Sequence, residues 1–219
     1  MSEKRLTWSE WSKKHEIPRK ALHTSIGFCS LILQKLGTEA TDVTPWLELF
    51  FIPAFSCDLL RFNWPAFSRL FNKLFGPLMR ESELKNWNGL IFYVVGVWVV
   101  LKLFPKEIAA MSILLLSWCD TAASTLGRRF GKYTPKIAKN KSLAGSMGAF
   151  FCGTFCAYLY WGLLFKSPDS LAARSSIPFP LLCVINGLIG AFAEAMDIWG
   201  LDDNLVIPIV SGTLLYLIL

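Results

Sequence analysis

The run Ile108-Ala109-Ala110-Met111-Ser112-Ile113-Leu114-Leu115-Leu116-Ser117-Trp118-Cys119-Asp120 ends an apolar stretch on a carboxylate. Apolar residues at this density predict a membrane-embedded helix, and an acid inside one is expensive enough to mark function by default. Next come Gly127-Arg128-Arg129-Phe130-Gly131-Lys132 and a proline-containing basic loop through Lys136, Lys139 and Lys141. The segment closes on Lys141-Ser142-Leu143-Ala144-Gly145-Ser146, where a second apolar run begins. Six basic residues within fourteen positions, beside a buried acid, make a polyanion the natural guest. These residues point to a membrane enzyme that handles a nucleotide at the bilayer surface.

The rest of the chain agrees with the membrane class. Of its 219 residues, 53% are hydrophobic and only 17% charged, far from the soluble average. The six cysteines all lie in apolar runs without CxxC spacing, so they read as small buried hydrophobes rather than disulfides or zinc ligands. His15 and His23 are too few for a histidine metal site. A net charge of +6 raises nucleic acid as a partner, but the basic residues flank apolar spans instead of forming one soluble face, which excludes it.

The expected fold is all-α and polytopic, with about seven transmembrane helices plus interfacial amphipathic ones. Residues 1–20 read as an interfacial N-terminal segment, with Trp8 and Trp11 at headgroup level and no secretory h-region. Residues 21–219 read as the membrane domain. Its spans fall at about 21–36, 43–60, 89–104, 108–126, 145–165, 179–199 and 205–219. Between the second and third, Phe67, Leu70, Phe71, Leu74, Phe75 and Leu78 recur at helical spacing, which predicts an amphipathic helix lying on the membrane within 61–84. Pro208 predicts a break in the last span. With seven spans, 17 of the 22 lysines and arginines fall on one side, which the positive-inside rule makes cytosolic.

That side also gathers the candidate chemistry. Asp120 and Glu194 are the acids set deepest in apolar surroundings; Asp197 shares a helical face with Glu194, and Asp202 and Asp203 come just after. Carboxylates converging where phosphates bind hold a divalent metal, so Asp120, Glu194, Asp202 and Asp203 are the expected ligands, of magnesium first and calcium second. Pairing with arginines inside the bundle is the plainer reading of the same acids. Arg128, Lys136 and Lys141 are the expected triphosphate ligands.

Gly127-x-x-x-Gly131-Lys132 resembles a P-loop, but it has three residues between the glycines instead of four and comes after a helix instead of a strand. Ser142, Gly145 and Ser146 open the fifth span, where free helix amides suit an anion; capping by the serines, and helix packing through Gly145, Gly148 and Gly153, are the alternatives. Arg19 and Lys20 precede the first span as either phosphate ligands or snorkelling anchors.

Taken together, Ile17-Pro18-Arg19-Lys20-x-x-His23, Ser117-Trp118-x-Asp120-Thr121-Ala122-Ala123, Gly127-Arg128-x-x-Gly131, Thr134-Pro135-Lys136, Asn140-Lys141-Ser142-Leu143-Ala144-Gly145-Ser146 and Asp202-Asp203-Asn204-x-x-Ile207-Pro208 resemble the CTP-dependent lipid kinases of eukaryotic internal membranes. That family includes dolichol kinase, phytol kinase and the fungal-type diacylglycerol kinase, to which the wording is most similar. The resemblance implies transfer of the CTP γ-phosphate to diacylglycerol, giving phosphatidate at the endoplasmic reticulum or nuclear envelope. It also implies a divalent cation, and Arg19, Lys20, Asp120 and Gly127 as positions on which activity depends. A polyprenol kinase such as dolichol kinase, and an enzyme attaching cytidylate to phosphatidate, are the rival readings.

Overall fold

The computed structural model describes residue 12 and residues 16–138, 141–198 and 200–219. The expected N-terminal interfacial helix at Leu6–Trp11, along with Lys139 and Trp199, lies outside the described residues.

The organising element is one continuous rod, Lys106–Tyr133. It begins as α5 (Lys106–Leu114), passes through a π-helical turn at Leu115–Cys119, and continues as α6 (Asp120–Phe130). Met111, Leu114, Leu115, Leu116 and Cys119 are fully buried, so this rod is the core of the bundle. The π-turn was not legible in the apolar run. Such a turn inserts one residue and shifts the phase of the helix beyond it, and here it comes immediately before Asp120.

Around the rod stand α1 (Ile17–Lys35), α4 (Gly89–Leu103), α7 (Leu143–Ala157, extended by a π-helical turn to Leu164), α9 (Phe179–Ala195) and α10 (Asp203–Ile218), with the one-turn α8 (Leu171–Arg174) between α7 and α9. The helix α2 (Ala40–Asn63) lies at the periphery: 11% of its apolar window is buried, against 78% for the rod. Leu49, Ile52, Phe151, Phe155, Leu188, Phe192 and Leu217 are exposed, a belt of apolar side chains that water would not tolerate and lipid would. Three described helices, α2, the rod and Leu143–Leu164, are long and apolar enough to cross a membrane; α4, α9 and α10 are apolar but shorter. Among the described residues the protein is thus an all-helical membrane bundle apart from one small antiparallel pair, β1 (Lys136–Ala138) and β2 (Lys141–Ser142), in the basic loop.

Several boundaries differ from expectation, each for a local reason. Pro18 sits in the first turn of α1, where its missing N–H costs nothing, so the helix starts at Ile17 and contains Arg19 and Lys20 instead of coming after them. The amphipathic stretch divides into α3 (Pro65–Phe75) and short 3-10 turns at Gly76–Leu78 and Glu81–Leu84. No residue of α3 is buried within the bundle, which leaves its apolar face open. The break expected at Pro208 is absent, and α10 runs straight through it. Proline removes the amide that would bond the Asn204 carbonyl, and that carbonyl instead faces Gly96 of α4 so closely that an added Cβ would lie 2.5 Å from it.

The linker from α3 to α4 is held by a buried cation. The Arg61 guanidinium donates to Asp58 at 3.0 Å and to the carbonyls of Glu83 (2.7 Å), Leu84 (3.2 Å) and Asn86 (2.6 Å). Asp58 in turn accepts from the Asn88 amide at 2.6 Å. Removing one partner of such a pair leaves a buried charge uncompensated, at a cost of about 3–5 kcal/mol. Arg61→Ala is therefore expected to lower the melting temperature in detergent and to lower activity with it, because the same linker carries Arg80 into the site. Unchanged melting would mean that the linker is held by its apolar contacts alone.

Candidate active site

On one face of the bundle, the starts of α1, α7 and α10, the end of α9, and α6 surround a polar cavity of about 840 Å³, within the range of ligand-binding pockets. Asp120, the first residue after the π-turn, is at its centre and is only 6% exposed. Its carboxylate lies 3.4 Å from Arg19, 3.6 Å from Arg80 and 3.9 Å from His23. Arg80 also reaches Asp203 at 3.5 Å, and Lys141 bridges Glu194 at 2.9 Å and Asp203 at 3.2 Å. Acids and bases alternate, so that Arg80 and Lys141 each hold two carboxylates near each other.

Further charge comes from Glu16, at the cavity rim. It pairs with Arg19 at 3.2 Å and Arg128 at 2.6 Å, and it adopts a left-handed backbone conformation (φ 53°) that a non-glycine residue takes up only when its surroundings impose it. Burial works against its charge, but Arg128 and Arg19 outweigh burial and hold its carboxyl below the usual value. At Lys141 burial again opposes the charged form, and Asp203 and Glu194 overcome it and raise the ammonium above the ordinary lysine value. Arg80 is likewise raised, against burial, by Asp120 and Asp203. Both cations are therefore charged throughout the physiological range.

Of the residues singled out in the sequence, Arg19, Asp120, Gly127 and Arg128 line the cavity, as do Lys136, Lys141, Ser142 and Gly145, and Glu194 with Asp203. Lys20, Ser146 and Asp202 are not in its lining. Lys20 donates to Thr125 on α6 at 2.9 Å, and Asp202 caps α10 by accepting from the Asn204 amide at 2.9 Å. Burial raises the Asp202 carboxyl above its usual value, with that amide pulling it back. Ser146 Oγ is buried without a hydrogen-bond partner among the described residues.

The leading amides of α7 differ from expectation. Leu143 N–H donates to the Pro135 carbonyl (3.0 Å), Ala144 N–H to Thr134 Oγ1 (3.2 Å) and Gly145 N–H to Ser142 Oγ (3.3 Å). Those three amides are taken, so Ser142 acts as a helix cap and an anion in the cavity is met mainly by side chains. Gly127 and Gly145 also prove to be contact points: a Cβ on either would come within 3.6 Å of the other's Cα. They bring α6 and α7 together, as small residues do between membrane helices.

Arg80 and Glu16 were missed in the sequence. Arg80 reads there as one more base beside an amphipathic helix, and only the Arg61 clamp, which closes 22 or more residues along the chain, turns it inward.

Among the described residues, no three His, Cys, Asp or Glu side chains form a closed metal cage. The donor set nonetheless fits a divalent ion held partly by substrate. Glu194 Oε2 is buried without a hydrogen-bond partner among the described residues, and magnesium commonly takes only one or two carboxylates beside phosphate oxygens and water.

A membrane-embedded bundle whose polar cavity interleaves cations with carboxylates is the architecture of an enzyme acting on a phosphorylated substrate at the membrane. The comparisons with known proteins agree with that class. The profile of the cytidylyltransferase family matches residues 15–196. CTP-dependent diacylglycerol kinase 1 of Schizosaccharomyces pombe is 73% identical over 98% of this chain and 99% of its own length. The CTP-dependent diacylglycerol kinase 1 of Saccharomyces cerevisiae is 37% identical over 94% of this chain and 74% of its own. Phytol kinase 1 of Arabidopsis thaliana is 23% identical over 93% and 67%. The chain belongs to the cytidylyltransferase family, in the branch of the CTP-dependent diacylglycerol kinases. No solved structure matches it.

Proposed function

We propose that the protein is a CTP-dependent diacylglycerol kinase, which transfers the γ-phosphate of CTP to the free hydroxyl of diacylglycerol and yields phosphatidate and CDP. The observation that carries this reading is the 73% identity to the Schizosaccharomyces pombe kinase along 98% of the chain. The cavity supplies the chemistry. Phosphoryl transfer asks the protein mainly for positioning and charge neutralisation. Arg80 and Lys141, now engaged with carboxylates, are the cations that bridge Asp203 to Asp120 and to Glu194. They bind the triphosphate together with Arg19, Arg128 and Lys136, while Lys20 orders α6 through Thr125. Ser142 and Gly145 shape the wall behind it. The hydroxyl oxygen attacks the γ-phosphorus, the bond from that phosphorus to the bridging oxygen breaks, and the hydroxyl proton is released.

A divalent cation, magnesium first and calcium second, would be held by Asp120 and Glu194 with Asp203, and Asp202 lies next in the chain. When bound it neutralises phosphate oxygens. Chelation with EDTA is expected to reduce turnover to background and added magnesium to restore it; turnover that survives chelation rules the ion out.

The helices complete seven passes, with the site facing the cytosol at the endoplasmic reticulum and nuclear envelope. Support comes from the clustering of the starts of α1, α7 and α10 on the face to which the positive-inside count assigns most of the basic residues. Purified protein in lipid nanodiscs, given γ-labelled CTP and a panel of lipid alcohols, tests the activity: label should appear in phosphatidate. CDP-diacylglycerol with pyrophosphate, or preference for a polyprenol, overturns it. In sealed microsomes with the cytosolic face outward, added CTP should be consumed without detergent.

A further inference from the structure

We propose that two apolar cavities beside the polar one form a single forked seat for a neutral two-chain glycerolipid alcohol, with its hydroxyl end at Asn204, His23 and Arg19. The proposal deepens the reading above and rests on it for the identity of the acceptor. The first cavity, of about 270 Å³, is bounded by α1, α2, α3, the linker and α4. The second, of about 540 Å³, is bounded by α1, α2, α4 and α5. They share Leu22, Ile26, Phe50, Leu90 and Tyr93, so they adjoin along those side chains, where the two branches of the proposed seat meet. Arg19 lines both the first cavity and the polar one, so the proposed seat abuts the site that holds Asp120.

The polarity of the lining gives the occupant's orientation. In the first cavity the polar groups Arg19, His23, Glu83, Asn88 and Asn204 are met by Phe50, Phe71 and Phe75. Two of those polar atoms, His23 Nδ1 and Asn204 Oδ1, have no hydrogen-bond partner among the described residues, although His23 is 6% and Asn204 2% exposed; the Asp120 carboxylate is 3.9 Å from His23 Nδ1, beyond hydrogen-bond reach. Buried polar atoms are rarely left unpaired, and these two mark the place of a missing polar ligand atom. A hydroxyl supplies a donor and acceptor lone pairs without adding a charge that the apolar seat could not solvate.

The second branch runs along α1 from Leu22 to Gln34, about 18 Å at 1.5 Å per residue, a length that takes an acyl chain and leads away from the polar cavity. The first branch reaches α3 and Leu78, where Phe75 and Leu78 are exposed at the interface, so a second chain enters from the bilayer there. A fork fits two chains; a single-chain isoprenoid alcohol fills only one branch.

The test uses the full-length protein in nanodiscs. Cys29 and Leu33 line the long branch one turn apart, and both are exposed, so enlarging them intrudes on the branch without opening the core. In Cys29→Trp and Leu33→Trp, the ratio of kcat/KM for dioleoylglycerol to that for dioctanoylglycerol is expected to fall at least tenfold from the wild-type ratio. An unchanged ratio overturns the seat. A second measurement does not depend on variants or turnover. Diacylglycerol carrying a photoreactive diazirine at one chain end should label wild-type peptides containing residues 29–34 or 97–101. Labelling confined to the outer faces of α7, α9 and α10 overturns the seat, as does competition by phytol stronger than by dioleoylglycerol. If no lipid alcohol is phosphorylated, the kinase reading fails, while the crosslink still decides whether the cavity holds a glycerolipid.

Discussion

Asp120→Asn is expected to reach the membrane in near wild-type amounts and to lose turnover by on the order of a hundredfold or more, as when electrostatic stabilisation of a reacting group is removed. Folding should survive because the substitution keeps size and because its cationic partners have other anions: Arg19 retains Glu16, and Arg80 retains Asp203. Activity should not, because Asp120 is the carboxylate that Arg19, Arg80 and His23 all surround, and no other described acid occupies that position. The measurement is turnover of labelled CTP at saturating magnesium and lipid, with the amount of folded protein checked by gel filtration in detergent. Near-normal turnover under those conditions would remove Asp120 from the site. A loss confined to stability, with the remaining folded protein fully active, would return it to the role of a structural counter-ion.

How much of this was readable from the chain depends on the range of the interactions involved. Asp120 was legible because an acid at the end of an apolar run has no inexpensive explanation. Glu194 and Asp203 were legible because they join the same side once the spans are counted. Lys141 comes with them, since the basic loop had to lie against those acids. Local signals failed where a distant partner decides the outcome. The π-turn before Asp120 lies within a run whose composition reads as plain helix. The leading amides of α7 looked free because their partners, Thr134 Oγ1 and the Pro135 carbonyl, come from the preceding loop, folded back in a way that spacing does not encode. Pro208 looked like a break because the sequence does not show that Gly96 receives the orphaned carbonyl. Gly127 and Gly145 looked like a phosphate cradle and turn out also to be the contact between two helices. Arg80 is the largest omission, and it has the same origin: nothing near it in sequence distinguishes it from the other bases of the amphipathic stretch, Arg69 and Lys73.

The position of Arg80 makes it the second large effect. Arg80→Ala is expected to lower kcat by on the order of a thousandfold, the lower end of what an arginine placed on a transferring phosphoryl group contributes. The guanidinium lies between Asp120 at 3.6 Å and Asp203 at 3.5 Å, on a linker pinned by Arg61, so it is held in place before any substrate arrives. A fixed planar fork can track charge onto the equatorial oxygens, whereas an ammonium offers a point charge, so Arg80→Lys should recover less than about a tenth of the lost rate. A purely neutralising role makes a different forecast. If Arg80 serves only to keep Asp120 and Asp203 from repelling each other, then any cation at that place suffices and Arg80→Lys should restore most of the turnover. With a phosphate-binding role Arg80→Lys stays slow, while CTP affinity, measured by equilibrium binding, changes far less than kcat. Full recovery in Arg80→Lys would take the guanidinium fork out of the chemistry and leave Lys141, which bridges Glu194 and Asp203, as the cation to test next.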